Sequence, residues 1–330
     1  MRMGSPVIIA SERGEVGLVE AMRALRAGGS AMDAVEIALR AAEANEADHY
    51  VGVGGIPNLL GEVELDASIM DGSTLAAGAV GAVTGFPHPI TIARAVCEQL
   101  PQHAMLVGRG AERFADECAI PRGTTLTEEA VRLWKEGLTP EALDEAERTQ
   151  GAGETAYRRS VLARIQAMEP PHRHPWGTIN VIALDGAGRL CTGVSTSGYP
   201  WKYPGRVGDS AVIGAGNYCD GRYGGAACTG RGELAIRAGT ARTVVDGLAD
   251  GLSPEEACVT ALERTMSLAD PFRAQVRTLC LTADGQHAGA ATVTGATYGL
   301  MTGDHTEPEF LPRAVISNHF FIGVETGSQP

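Results

Sequence analysis

The sequence predicts an α+β fold built as two antiparallel sheets between helical layers. Three observations carry this. Strand-like runs cluster together and helix-like runs come in pairs in both halves of the chain, so the regular strand-helix-strand alternation of a doubly wound sheet is missing. A length of 330 residues with 44% hydrophobic side chains is enough for a large layered core. The 43 glycines and 17 prolines supply the tight turns that such a chain needs.

Val7, Ile8 and Ile9 form an apolar run suited to a buried strand, and Leu18, Met22 and Leu25 then recur at helical spacing until Gly28-Gly29 ends the helix. A second helix follows at once. Ser30 and Asp33 form a capping-box pattern ahead of the apolar face Val35, Ala38, Leu39 and Ala42. Residues 51–85 alternate short apolar strands with glycine turns, which reads as a meander within a sheet. Pro89 opens a helix over 90–100, followed by a brief apolar stretch at Met105 to Val107 and another helix toward Cys118.

Residues 122–177 are strongly charged, weakly periodic and end in EPPHRHPWG, the pattern of an exposed connector. Strands then return. Ile179 to Leu184, a turn at Asp185 to Gly188, and Leu190 to Thr196 make a hairpin, so a new sheet is expected to begin at Thr178. Residues 205–232 read as a glycine-dense loop leading into a helix near Glu233 to Asp246, and Ser253 caps a further helix over Pro254 to Leu268. The chain closes in strands around 275–281, 288–294, 297–302 and 314–323.

The charge balance of 27 Lys+Arg against 40 Asp+Glu, net −13, has the wrong sign for gathering phosphate backbones, so nucleic acid is not an expected partner. Seven scattered cysteines form no C-x-x-C pair, which suits reduced thiols in a cytoplasm. The start lacks a signal-type apolar core and no later run reaches the length of a membrane span, so no membrane partner is expected.

Gly52-Val53-Gly54-Gly55 and Gly214-Ala215-Gly216 lack the strand, helix and downstream acid of a dinucleotide site, and neither a phosphate loop nor a GxSxG elbow is present. His49, His88, His172 and His174 fall in no metal-ligand spacing, so neither a metal nor another cofactor is expected. More informative is HPWGTINVIALDGAGRLCTGVSTSG, where Thr178 follows Gly177 at the junction of connector and strand. A threonine hydroxyl is a poor nucleophile without an adjacent base, and its own α-amine, with a pKa of about 8, becomes one if the Gly177–Thr178 bond is cut. Many strands simply begin with threonine.

Downstream, Arg206 and Asp209 sit three apart in a glycine loop, where a guanidinium and a carboxylate can grip the two ends of an amino acid. An ordinary surface Arg/Asp pair fits the same residues. Thr229-Gly230 ahead of a helix offers a hydroxyl and an N–H suited to an oxyanion, and equally a simple helix cap.

Together these motifs resemble the N-terminal nucleophile (Ntn) hydrolases of the asparaginase 2 family, which includes glycosylasparaginase and the isoaspartyl peptidase/plant-type asparaginases. The likeness runs from the first helix pair through VGVGGIPNLLGEVELDASIMDGSTLAAGAVGAV and GTINVIALDGAGRLCTGVSTSG to PGRVGDS and CTGRGE, nearly the whole chain. The resemblance implies a four-layer αββα sandwich, one Ntn domain over 1–330, cut into an α chain of 1–177 and a β chain of 178–330, and a homodimeric (αβ)2 assembly. It also implies that Thr178 is nucleophile and base, with Thr196 assisting it. Arg206 and Asp209 would bind the α-carboxylate and α-amine of an aspartyl moiety. Thr229 and Gly230 would form the oxyanion hole, and Gly232 would help hold the substrate ammonium. The small-molecule substrate would be a β-aspartyl amide, hydrolysed through a β-aspartyl ester.

The block at 51–83 is similar to the glycosylasparaginase branch, which favours N4-(β-N-acetylglucosaminyl)-L-asparagine over an isoaspartyl peptide or L-asparagine. Ser11-Glu12-Arg13 stand where that branch carries a pocket tryptophan, and Gly177 stands where it usually has an aspartate. The leaving-amine pocket therefore differs. From another class, a non-catalytic amino-acid-binding protein would keep the clamp and lack the cleavage.

Overall fold

The computed structural model describes residues 4–137, 177–270 and 275–316. It contains an eight-stranded sheet in the order β12-β11-β1-β5-β6-β2-β3-β4 and a five-stranded sheet in the order β13-β10-β9-β8-β7. The first sheet combines β1 (Val7–Ser11), β2 (Leu65–Asp71), β3 (Ala77–Val83), β4 (Met105–Val107), β5 (Ile179–Leu184), β6 (Leu190–Thr196), β11 (Thr297–Thr302) and β12 (Glu309–Pro312). The second holds β7 (Asn217–Asp220), β8 (Gly224–Gly230), β9 (Val276–Thr282), β10 (His287–Ala291) and β13 (Ala314–Val315). Helices α1 (Leu18–Arg26), α2 (Ala31–Glu43), α3 (Pro89–Gln99) and α4 (Gly108–Glu117) precede α5 (Glu128–Glu136), and α6 (Gly232–Ala238), α7 (Thr240–Ala249) and α8 (Pro254–Met266) follow.

Period-two alternation explains why the sheets are buried on both faces. Ile8 and Ala10 of β1, with Ile179, Val181 and Ala183 of β5, pack against the layer formed by α1 to α4. Val7, Ile9, Ile182 and Leu184 point the other way and meet Ala227, Leu279 and Leu281 of the second sheet. On its far side Ala226, Cys228 and Cys280 meet Leu234, Val244, Ala261 and Leu262 of α6 to α8. The result is an α+β four-layer αββα sandwich with three apolar seams.

Both expected caps form: Ser30 with Asp33 at α2 and Ser253 with Glu256 at α8 are capping boxes. Several expectations need correction. No new sheet begins at Thr178. β5 pairs antiparallel with β1, and β6 with β2, so the hairpin fills the centre of the first sheet. Residues 51–64 form a loop rather than meander strands, leaving only β2 and β3 of that block in the sheet. The sheets are antiparallel except at their edges, where β3 pairs parallel with β4 and β10 with β13. Helix α3 supplies the crossover that the first parallel pair requires.

The expected loop at 205–232 contains β7 and β8. β8 reads GGAACTG and carries little strand signal because it lies against the other sheet, where a Cβ on Gly225 would approach Thr192 Cγ2 to 2.6 Å. The expected helix over Glu233 to Asp246 is two helices, broken at Gly239 with φ 62°. Glu128 to Glu136 within the expected connector is helical, and the rest of that connector from 138 to 176, with His172 and His174, lies outside the described residues, as does the expected strand beyond 316.

Candidate active site

Thr178 stands at the entry to β5, in the centre of the larger sheet, and is 8% exposed. One pocket brings it together with Gly177, Thr196, Arg206, Asp209 and Gly230, residues separated by up to 53 positions between 177 and 230; Gly198, Tyr199, Gly208 and Ser210 complete its wall. Thr229 and Gly230 end β8, so the contact between the two sheets is what carries them to Thr178. Gly232 opens α6 behind Arg206 and Asp209.

The peptide ahead of Thr178 is held tightly. Thr196 Oγ1 donates to the Gly177 carbonyl at 2.9 Å, with the Tyr50 carbonyl a longer alternative at 3.3 Å. The Gly198 N–H donates to the same Thr196 oxygen at 3.0 Å, which fills a lone pair and directs the hydroxyl proton outward. The Thr178 carbonyl accepts from Ser11 Oγ at 3.2 Å. Gly177 has no room for a side chain, since a Cβ there would lie 1.9 Å from Tyr50 Cβ and 2.6 Å from Arg13 Nη2. That contact explains glycine at this position in steric terms.

Asp209 is buried and the Arg206 side chain is 15% exposed, so neither is an ordinary surface residue. The Arg206 guanidinium lies 4.4 Å from the Tyr199 ring centroid, and its Nε and Nη2 donate to Glu233 Oε1 at 3.1 and 2.9 Å. Burial opposes its charge, and Glu233, Tyr199 and Asp66 together outweigh it, so its pKa rises. Asp209 Oδ2 is buried with no hydrogen bond to a described residue. Burial pushes Asp209 up to about 7, against the pull of Arg206. A Cβ on Gly232 would fall 2.8 Å from Asp209 Oδ1 and 3.0 Å from Arg206 Nη2, so only glycine leaves the pair intact.

The loop carrying Arg206 is pinned at both ends. The Gly205 N–H donates to Glu64 Oε1 at 2.8 Å and the Gly208 N–H to Asp66 Oδ2 at 3.2 Å. Lys202, 1% exposed, donates from Nζ to the Glu64 carbonyl at 3.0 Å, and burial lowers its pKa against the pull of Asp66 and Glu64.

This geometry places a threonine at the head of a strand in one pocket with an arginine and an aspartate. A family model described as asparaginase matches residues 15–309. The chain belongs to this family. The asparaginase-family chain is 38% identical over 250 residues to an N(4)-(beta-N-acetylglucosaminyl)-L-asparaginase of Elizabethkingia miricola, covering 76% of this chain and 66% of that protein. It is 38% identical over 244 residues to an isoaspartyl peptidase/L-asparaginase of Mus musculus, covering 74% and 68%. It is 36% identical over 283 residues to a plant-type L-asparaginase of Pyrococcus horikoshii, covering 85% and 86%. In the first two the matched region spans about two thirds of the relative's own length.

Sequence reasoning about this asparaginase-family chain missed Glu233, Tyr199, Glu64, Asp66 and Lys202. Glu233 lies within the CTGRGE motif, where a carboxylate two residues beyond an arginine reads as a solvated helix start; the others had no local signal, because only the tertiary fold brings Tyr199 to Arg206 and buries Glu64, Asp66 and Lys202. His49 Nδ1 lies 2.9 Å from the Gly54 carbonyl and His88 Nδ1 3.2 Å from Glu43 Oε2, each joined to its own neighbour. Among the described residues no group of three or more His, Cys, Asp or Glu is placed to hold a metal ion, and no helix is long and apolar enough to cross a membrane.

The raised pKa of Asp209 has a stability consequence with a definite sign. Between its usual value of 3.8 and about 7 the folded chain binds a proton that the unfolded chain has lost, so this group's contribution falls as pH rises through that window. Asp209→Asn should therefore raise Tm more at pH 8 than at pH 5. An equal change at both values in thermal melts would contradict the burial argument.

Proposed function

We propose that this asparaginase-family chain is a self-processing amidohydrolase that cleaves the β-amide of an N4-substituted L-asparagine. The observation that carries the reading is the Thr196 hydroxyl donating to the Gly177 carbonyl, in the pocket that also holds Thr178, Arg206 and Asp209. A donor on that oxygen stabilises the negative charge that develops when Thr178 Oγ1 attacks the Gly177 carbonyl carbon. The peptide nitrogen leaves with a proton, Gly177 becomes an ester on Thr178, and water hydrolyses that ester. The products are chains 1–177 and 178–330 of one folded domain, and a free α-amine on Thr178.

In turnover that amine takes the Thr178 hydroxyl proton as Oγ1 attacks the substrate β-carbonyl. The Thr229 hydroxyl and the Gly230 N–H hold the oxyanion, and the leaving amine departs with the proton. Water then hydrolyses the β-aspartyl ester and regenerates the enzyme. Arg206 binds the substrate α-carboxylate, and Asp209 and the Gly232 carbonyl bind its ammonium. The unpartnered Asp209 oxygen supports that assignment, since a buried acceptor without a donor is satisfied by an incoming one. The working assembly is (αβ)2, and seven free cysteines suit a reducing cytoplasm.

The leaving amine is of the N-acetylglucosaminyl type, on the similarity of the 51–83 block to the glycosylasparaginase branch. Gly177 favours the second reading, an isoaspartyl peptidase/L-asparaginase. Rates of amine release from N4-(β-N-acetylglucosaminyl)-L-asparagine, an isoaspartyl dipeptide and L-asparagine distinguish them. The first substrate should give the highest kcat/KM, a preference for either of the others would support the second reading, and no release from any would favour a binding protein.

A further inference from the structure

Asn180 lies two residues beyond Thr178 and plays no part in the reading above, yet it is the side chain that grips Thr229. Alternation along β5 turns Asn180 with Ile182 toward the second sheet, where it is 1% exposed. Its Nδ2 lies 2.6 Å from Thr229 Oγ1 and 3.2 Å from the Cys228 carbonyl oxygen. A backbone carbonyl only accepts, so the end of the amide facing Cys228 is the NH2 group, and this fixes the orientation of the side chain. The other NH2 hydrogen goes to Thr229 Oγ1, which thereby acts as an acceptor and keeps its own proton to donate.

That proton is available. The acceptor within its reach is the Thr178 carbonyl at 3.5 Å, a long contact, and Ser11 Oγ already donates to the same oxygen at 3.2 Å. Ser11 also accepts from the Asn180 N–H at 3.0 Å, so backbone and side chain of Asn180 are fixed together. A second observation is independent of this geometry. Asn180 Oδ1 is buried with no hydrogen bond to a described residue, a cost that a side chain serving only to fill space would not carry.

We propose that Asn180 is a positioning residue that forces the Thr229 hydroxyl to act as a donor toward the reaction oxyanion. The proposal rests on the assignment of Thr229 to the oxyanion hole. Asn180→Asp keeps the shape of the side chain and replaces the NH2 donor by an acceptor, so the Thr229 proton turns to the carboxylate and away from the substrate. Asn180→Ala frees the hydroxyl to rotate without capturing it, and should cost less.

The test is steady-state kinetics on a β-aspartyl amide, normalised to the cleaved fraction measured by mass spectrometry, with melting curves as a check on folding. Asn180→Asp should lower kcat by about 100-fold, the loss of one oxyanion donor, while KM stays within about twofold. Asn180→Ala should lower kcat by roughly tenfold at most. In a Thr229→Val background Asn180→Asp should cost nothing further, because the group it acts through is gone. A wild-type kcat in Asn180→Asp, or an equal loss with and without the Thr229 hydroxyl, overturns the proposal while the hydrolase reading stands. A Thr229→Val variant with wild-type kcat would instead refute the oxyanion assignment, and a wild-type protein that releases no amine would refute the hydrolase reading; either takes this proposal with it.

Discussion

Thr178→Ala should leave a single uncut chain and abolish β-amide hydrolysis. Both effects follow from one atom. In the proposed mechanism the hydroxyl that attacks the Gly177 carbonyl is also the hydroxyl that attacks substrate, and the amine that activates it in turnover does not exist until the first attack has run. Losing a nucleophile of this kind lowers turnover by on the order of 10^5 or more. Mass spectrometry of the purified protein reads the first effect and amine release reads the second. Thr178→Ser retains an attacking oxygen and should still be cut. Cleavage ahead of residue 178 in the alanine variant would move the nucleophile elsewhere, and an intact wild-type chain with full amidase activity would remove the need for a new terminus.

Arg206→Leu should separate substrate binding from chain cleavage. Arg206 lies against Tyr199 and Glu233 and makes no hydrogen bond to the Gly177–Thr178 peptide, so cutting should proceed. Its side chain is largely shielded, 15% exposed, and a substrate carboxylate entering the pocket would pair with it largely screened from water. Removing one partner of a buried charge pair costs about 3–5 kcal/mol, and for this largely shielded pair the lower end, about 3 kcal/mol, corresponds to a fall in kcat/KM of roughly 10^2 carried mainly by KM. Arg206→Lys should not restore it, because an ammonium cannot donate to Glu233 and a second carboxylate through one planar fork. A variant with unchanged KM would show that the substrate carboxylate binds elsewhere.

What was legible in the sequence was what short-range patterns encode. The Ser30 and Ser253 caps, the helix opened by Pro89 and the hairpin around Asp185 depend on residues a few positions apart, and all are present. The Thr178, Arg206 and Thr229 motifs were visible because their chemistry sits in contiguous runs, and the fold brings them into one neighbourhood. Strand partners were not legible. Nothing local says that Ile179 to Leu184 pairs with Val7 to Ala10, and GGAACTG looks like a loop because its small residues are dictated by the nearness of another sheet. The same limit hid Asn180, Glu64 and Lys202, polar residues buried by segments far away in the chain.

The order of strands in the larger sheet has a consequence for a chain severed ahead of Thr178. β1 comes from before that point, and both of its neighbours, β5 and β11, come from after it. Two fragments woven in this way share a backbone ladder across the middle of the molecule, so neither can dissociate while the other keeps its shape. If the chain is cut there as proposed, threads that were once joined must find each other in solution and interlace afresh, and durability is then set by how slowly the molecule opens rather than by any balance with an unfolded pool.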